Sequence, residues 1–89
     1  MKPYLDDYCW GENQNRFIRI FEADTDEKDL VWHRDERDRV MEVVHNTGWM
    51  IQFDNELPVD INSVKEIPRM VYHRLIKGKG NLIVEIAEL

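Results

Sequence analysis

The sequence holds a single cysteine, Cys9, and only four glycines and three prolines in 89 residues. One thiol excludes an intramolecular disulfide and favours a reducing compartment. No histidine or asparagine marks itself as a partner for Cys9, so the thiol reads as buried or incidental, not nucleophilic. No stretch approaches the ~18 apolar residues of a membrane span. The first ten residues, "MKPYLDDYCW", are polar and acidic and carry no apolar segment of the signal-peptide kind. A cytoplasmic protein is therefore expected, with no membrane partner. Positive charge is also scarce: 12 Lys and Arg stand against 18 Asp and Glu, a net charge of -6. Such a chain repels phosphate backbones, so no nucleic-acid partner is expected. The late basic cluster of Lys65, Arg69, Arg74, Lys77 and Lys79 reads as a solvated face.

The residues that are abundant describe a folded domain. Hydrophobic residues make up 43% and charged residues 34%, a globular balance and not a disordered one. A chain of this length suits one domain with a limited core, of modest stability unless it dimerises. Short runs rich in valine, isoleucine and aromatics alternate with turn signals. "RFIRIFEA" ends at "DTDEKD"; "LVWHRD" and "VMEVVH" lead to "NTG"; "WMIQFD" stops at "DNELP". "VDI", "NSVKEIP" and "MVYHRLI" follow, and "LIVEIAEL" closes with Leu82, Val84 and Ile86 at period two. Many short strands with frequent turns predict an all-β, antiparallel sandwich or barrel.

Two segments are less regular. Val40, Met41, Val43 and Val44 also fit helical spacing, with Asp35 or Asp38 as cap and Gly48 as stop. The shortness of the run, its valines and the turn "HNTGW" favour a strand leading into a hairpin. The charged stretch between Trp32 and Val40 then reads as a second hairpin turn. Residues 1–15 show no period and are expected to form an arm or edge strand that packs Tyr4, Tyr8 or Trp10 onto a body spanning 16–89.

The spacing of the polar residues resembles that of the cupins, small jelly-roll β-barrels. Their first motif reads H-x-H, three or four residues, E, six residues, G. Here His33 and Asp35 take the two histidine positions, Arg39 the glutamate and Asn46 the glycine. The second motif reads G, five residues, P-x-G-x-x-H. Here Asn62, Pro68, Met70 and His73 take those places. The match covers roughly 30–86 with no insertion, although only His33, Pro68 and His73 keep the family's letters. Asn46 and Asn62 are physically tolerant replacements, because asparagine is the next residue after glycine to accept a left-handed backbone. Met70 and Arg39 are true departures, and a guanidinium cannot ligate a metal.

Alternation along a strand puts His33 and Asp35 on one face. The resemblance adds His73 from a neighbouring strand. Two imidazoles and a carboxylate form the facial triad that suits non-haem Fe(II), and Mn, Ni or Zn would also fit. Arg39 and Arg37 are the candidates for holding a carboxylate or phosphate of a small ligand in the barrel. An oxygenase or isomerase is implied on this reading. On the alternative one, Asp35 pairs with Arg39, no metal binds, and the protein is a small-molecule binder or a structural or regulatory dimer. His45 reads as rim or surface and Glu42 as solvent-exposed. Trp32 and Tyr72 neighbour His33 and His73 and should point away from the site, onto a face suited to a homodimer.

Overall fold

The computed structural model describes residues 2–89; Met1, the first residue of the expected arm, lies outside the described residues. Eight strands form: β1 (Leu5–Trp10), β2 (Arg16–Phe21), β3 (Arg39–His45), β4 (Met50–Phe53), β5 (Val59–Asp60), β6 (Val64–Ile67), β7 (His73–Ile76) and β8 (Leu82–Glu88). One sheet has the order β1-β2-β8-β3-β6 and the other β5-β4-β7, and all pairings are antiparallel. This is the all-β, jelly-roll architecture expected. It differs from the expected barrel in one respect: the two sheets face each other as a sandwich and are not joined into one closed ring of ladders.

The core lies between the sheets, and the alternation of the sequence explains it. β8 is the central strand, and its inward residues Leu82, Val84 and Ile86 are buried. Phe17 and Phe21 on β2 and Met41 on β3 lie beside them, and Trp49 and Ile51 close over them from the second sheet. β1 is an exposed edge. Its register slips between Asp7 and Cys9, where Tyr8 has a φ of 49°. A bulge and two aspartates on an edge discourage pairing with another chain. Of the three aromatics expected to pack from this segment, Tyr4 does so against Phe21, whereas Tyr8 is 75% exposed and Trp10 38%.

The expected hairpins are corrected. β3 pairs with β8 and β6, while β4 pairs with β5 and β7, so the "HNTGW" turn carries the chain from one sheet to the other. Asn46 holds this crossing through its side chain. Its Oδ1 accepts from the Trp49 N–H at 2.8 Å, and its Nδ2 donates to the carbonyls of Ile61 at 2.7 Å and Trp49 at 3.2 Å. Nor is the segment 34–38 a hairpin turn. The expected strand over Leu30–Asp35 shrinks to one bridge, in which His33 and His73 exchange backbone hydrogen bonds of 3.0 and 2.8 Å. The chain then leaves the ladder, because the Asp35 carbonyl accepts from the Met70 N–H and the Asp38 carboxylate from the Arg69 N–H. The helical alternative over Val40–Val44 is not realised, since these residues lie within β3.

Left-handed backbone falls elsewhere than on Asn46 and Asn62. Close to these two positions and in the second motif it falls on Gly48 (φ 91°), Ser63 (φ 56°) and Met70 (φ 63°), and outside the motifs it falls on two other asparagines, Asn13 and Asn55. Met70 therefore adopts the conformation of the glycine it replaces in the cupin motif, at a cost near 1–2 kcal/mol for an L-residue. Replacing Met70 with glycine is expected to raise unfolding stability by up to about 1 kcal/mol, part of the gain being lost to the freer unfolded chain. Replacing it with valine, β-branched and poorly tolerated at positive φ, is expected to lower stability by about 1–2 kcal/mol. Urea denaturation of the pair checks this, and equal midpoints would contradict it.

Candidate metal centre

The histidine bridge decides the site's geometry. Because His33 and His73 are a directly opposed antiparallel pair, their side chains leave the sheet on the same side. Their ring centroids are 4.3 Å apart. Asp35, two residues beyond His33, projects to that side as well. One ligand atom from each of His33, Asp35 and His73 lies within 4.8 Å of the others. His73 is buried, Asp35 is partly buried and His33 is exposed at the mouth.

Hydrogen bonding selects the tautomer of both rings. Nδ1 of His33 lies 2.9 Å from the Val31 carbonyl, and Nδ1 of His73 lies 2.9 Å from the Val71 carbonyl. A carbonyl only accepts, so each Nδ1 carries the proton and donates. In a neutral ring Nε2 is then a bare lone pair, which is the arrangement metal-binding histidines adopt. Asp35 Oδ2 lies 3.4 Å from His73 Nε2, yet it is a buried oxygen with no hydrogen-bond partner among the described residues. Two lone pairs thus face each other out of water. A buried acceptor without a donor is costly, and a cation between the two atoms would satisfy both. The residues present therefore fit a divalent metal.

Burial pushes the His73 imidazole below its ordinary value of 6.5, with His33 and Arg39 acting in the same direction; the Val71 carbonyl and Asp35 oppose it. A histidine with a depressed folded-state pKa contributes stability that is fully present above the unfolded value. That stability is lost as pH falls through the folded value. Chelated protein is accordingly expected to lose stability as pH drops from 6.5, and His73→Gln to flatten that part of the profile. Denaturation midpoints measured between neutral and mildly acid pH check the sign, and an unchanged slope in the variant would contradict it.

Arg39 projects from the start of β3 into the same region. Its Nε and Nη2 donate to Glu88 Oε2 at 3.2 and 3.0 Å, while its Nη1 stands 3.6 Å from Asp35 Oδ1. The Asp35–Arg39 pair expected from the sequence is therefore present but loose, and Glu88 is the main partner. The two oxygens of Asp35 divide their roles, Oδ1 towards Arg39 and Oδ2 towards His73. Arg37 is exposed and is not among the residues lining the cavity; His45 and Glu42 are exposed on β3.

The triad opens into a cavity of about 270 Å³ between the sheets. Its apolar walls include Phe21, Met41, Ile51 and Leu75, and its polar residues include Arg19, Asp29 and Arg39. Arg19 and Glu88 were missed in the sequence. Arg19 was detectable, because alternation in "RFIRIF" puts it on the same face as Phe17 and Phe21. Glu88 had no such signal, since its partnership with Arg39 depends on the β3–β8 register.

No family model and no curated protein matches the chain. Solved structures do match. A cupin-2 domain protein from Shewanella frigidimarina shares 18% identity over 89% of this chain and 74% of its own, with a TM-score of 0.59. Cobalt(II) HppE in complex with Tris buffer shares 12% over 100% and 55%, with a TM-score of 0.69. A DMSP lyase structure (RdDddP and RnDddQII) shares 11% over 82% and 36%, with a TM-score of 0.67. The chain has the cupin fold. It spans about half the length of HppE and about a third of the DMSP lyase chain. HppE has also been solved as the Fe(II) protein with the alternative substrate (S)-1-HPP.

Proposed function

We propose that this chain is a metal-dependent cupin that binds a small polar ligand in the cavity between its sheets and acts on it by oxygenation or isomerisation. His33 Nε2, Asp35 Oδ2 and His73 Nε2 would hold the ion, whether Fe, Mn, Ni or Zn. The observation that carries this reading is the buried, partnerless Oδ2 of Asp35 facing the bare nitrogen of a buried histidine. When bound, such an ion supplies Lewis acidity and open coordination positions. The chain's own groups do the rest. The Val31 and Val71 carbonyls keep both histidines in the ligating tautomer, Arg39 draws one Asp35 oxygen away from His73, and the apolar walls give the cavity its shape. Metal analysis of protein purified without a histidine tag tests the proposal. Near-stoichiometric metal, lost on His73→Ala, is expected; metal-free protein after growth and refolding with each ion would overturn it.

A metal-free small-molecule binder is the second reading, favoured by the 3.6 Å approach of Arg39 to Asp35. It requires a ligand-induced rise in melting temperature that survives chelation. A homodimer is also part of the proposal. Trp32 and Tyr72 are 41% and 44% exposed on the side of the sheet away from the site, with the guanidinium groups of Arg74 and Arg34 lying over their rings. Light scattering of the wild type and of Trp32→Glu reads this out. A cytoplasmic location is proposed on the single, exposed Cys9, and no helix among the described residues is long and apolar enough to cross a membrane.

A further inference from the structure

We propose that Arg19 is the carboxylate-binding residue of the cavity, and that the ligand is a small monocarboxylate with an apolar body. The inference rests on the reading above only for the ligand's other, polar end, which would meet His33, Asp35 and His73.

Arg19 occupies an unusual position. It is an inward residue of β2, between Phe17 and Phe21, and its residue surface is only 9% exposed. A cation in an apolar stripe is expensive to desolvate, and an apolar residue of similar volume would often be at least as stable there. The side chain is nevertheless held rigidly. Nε and Nη2 donate to the two carboxylate oxygens of Asp6 at 2.7 and 3.1 Å, and the guanidinium lies 3.6 Å above the Tyr4 ring centroid. These contacts occupy one side of the fork. Nη1 makes no hydrogen bond among the described residues, and Arg19 lines the cavity. A planar fork held on one side presents fixed N–H groups from the other, the geometry that carboxylates select.

Placement within the sheet sets the ligand's shape. Arg19 stands opposite Val84 of β8, whereas Arg39 stands opposite Glu88. They are two strands apart, about 10 Å, and offset by four residues, about 13 Å. The apolar side chains of Phe21, Met41, Ile51 and Ile86 line the cavity as well. A ligand reaching from the triad to Arg19 must therefore carry an apolar body with an anionic terminus. Arg39 is less suited to serve that terminus, since Glu88 takes its Nε and Nη2 donors and the Asp35 carboxylate stands 3.6 Å from its remaining nitrogen, where a second anion would be repelled.

Calorimetric titration tests this with butyrate, valerate and hexanoate against their amides, on both zinc-loaded and chelated protein. The wild type is expected to prefer at least one acid over its amide by about tenfold, the worth of one charge-assisted hydrogen bond. Arg19→Met should abolish that preference while leaving zinc binding unchanged. Asp6→Asn, which keeps the guanidinium and removes its competitor, should preserve or increase the preference; this variant keeps the test readable if Arg19→Met fails to fold. No preference in the wild type, a preference that persists in Arg19→Met, or its loss in Asp6→Asn would overturn the inference. Failure of zinc to bind would remove the metal reading alone, because the chelated protein still reports on Arg19.

Discussion

Replacing Trp49 with alanine is expected to leave the protein largely unfolded or within reach of unfolding at room temperature. Trp49 has no solvent exposure and is the largest fully buried side chain. Its ring packs 5.7 Å from that of Phe21 on the opposite sheet, and its Nε1 donates to the Gly80 carbonyl at 2.7 Å. Truncating a buried tryptophan typically costs about 3–5 kcal/mol. The Gly80 carbonyl would also lose its donor. A domain of this size has a total stability of roughly 4–13 kcal/mol. The loss therefore takes a large fraction of the whole. The position is also poorly able to collapse, because Gly78 lies against it: a Cβ there would come within 2.6 Å of the Trp49 ring and backbone. Trp49→Phe should retain most of the packing and lose the hydrogen bond, costing about 1–3 kcal/mol. Urea denaturation followed by circular dichroism separates the two variants. A Trp49→Ala midpoint close to that of the wild type would show that the inter-sheet core does not depend on this ring.

The same residue shows what was and was not legible in the sequence. Strand positions and inward faces were readable wherever alternation was strict, as in "LIVEIAEL" and "RFIRIF", because one-sided burial imposes period two. The convergence of His33, Asp35 and His73 was also readable, since the cupin spacing survives where most of its letters do not. Sheet membership was not. "HNTGW" looks the same whether it closes a hairpin or passes the chain between layers; the difference lies in the Asn46 bonds to Trp49 and Ile61, the latter fifteen residues away. Backbone sign was misplaced for a related reason. Asparagine's tolerance of positive φ is only a tolerance, and its side chain was better used as a brace. The strained conformation stayed at Met70, where the loop makes its hydrogen bond to Asp35. Arg37 and Arg39 were grouped by closeness in sequence. The cavity instead groups Arg39 with Arg19, from strands that are neighbours of β8 on opposite sides.

Asp35→Asn is expected to separate metal binding from folding, moving the two in opposite directions. In the absence of metal, Asp35 Oδ2 is a buried acceptor that faces the lone pair of His73 Nε2. An asparagine of the same shape can turn its Nδ2 towards that nitrogen and donate. It thereby satisfies both groups and removes a buried charge, a change worth about 1–3 kcal/mol in favour of the variant. Arg39 loses a neighbour but keeps both bonds to Glu88. The chelated variant is accordingly expected to be at least as stable as the chelated wild type. Metal binding moves the other way. A neutral amide replaces the anionic ligand of the triad, and the loss should exceed the about 10–100-fold typical of disturbing a ligand's outer partners. The metal-induced rise in melting temperature should then vanish, because that rise scales with the logarithm of metal concentration over Kd. Denaturation in chelator together with metal titration of both proteins measures the two effects. A variant less stable without metal would mean that Asp35 already has a donor in the folded state, His73 being protonated on both nitrogens. The pair would then be a salt bridge and not two ligand atoms suited to a cation.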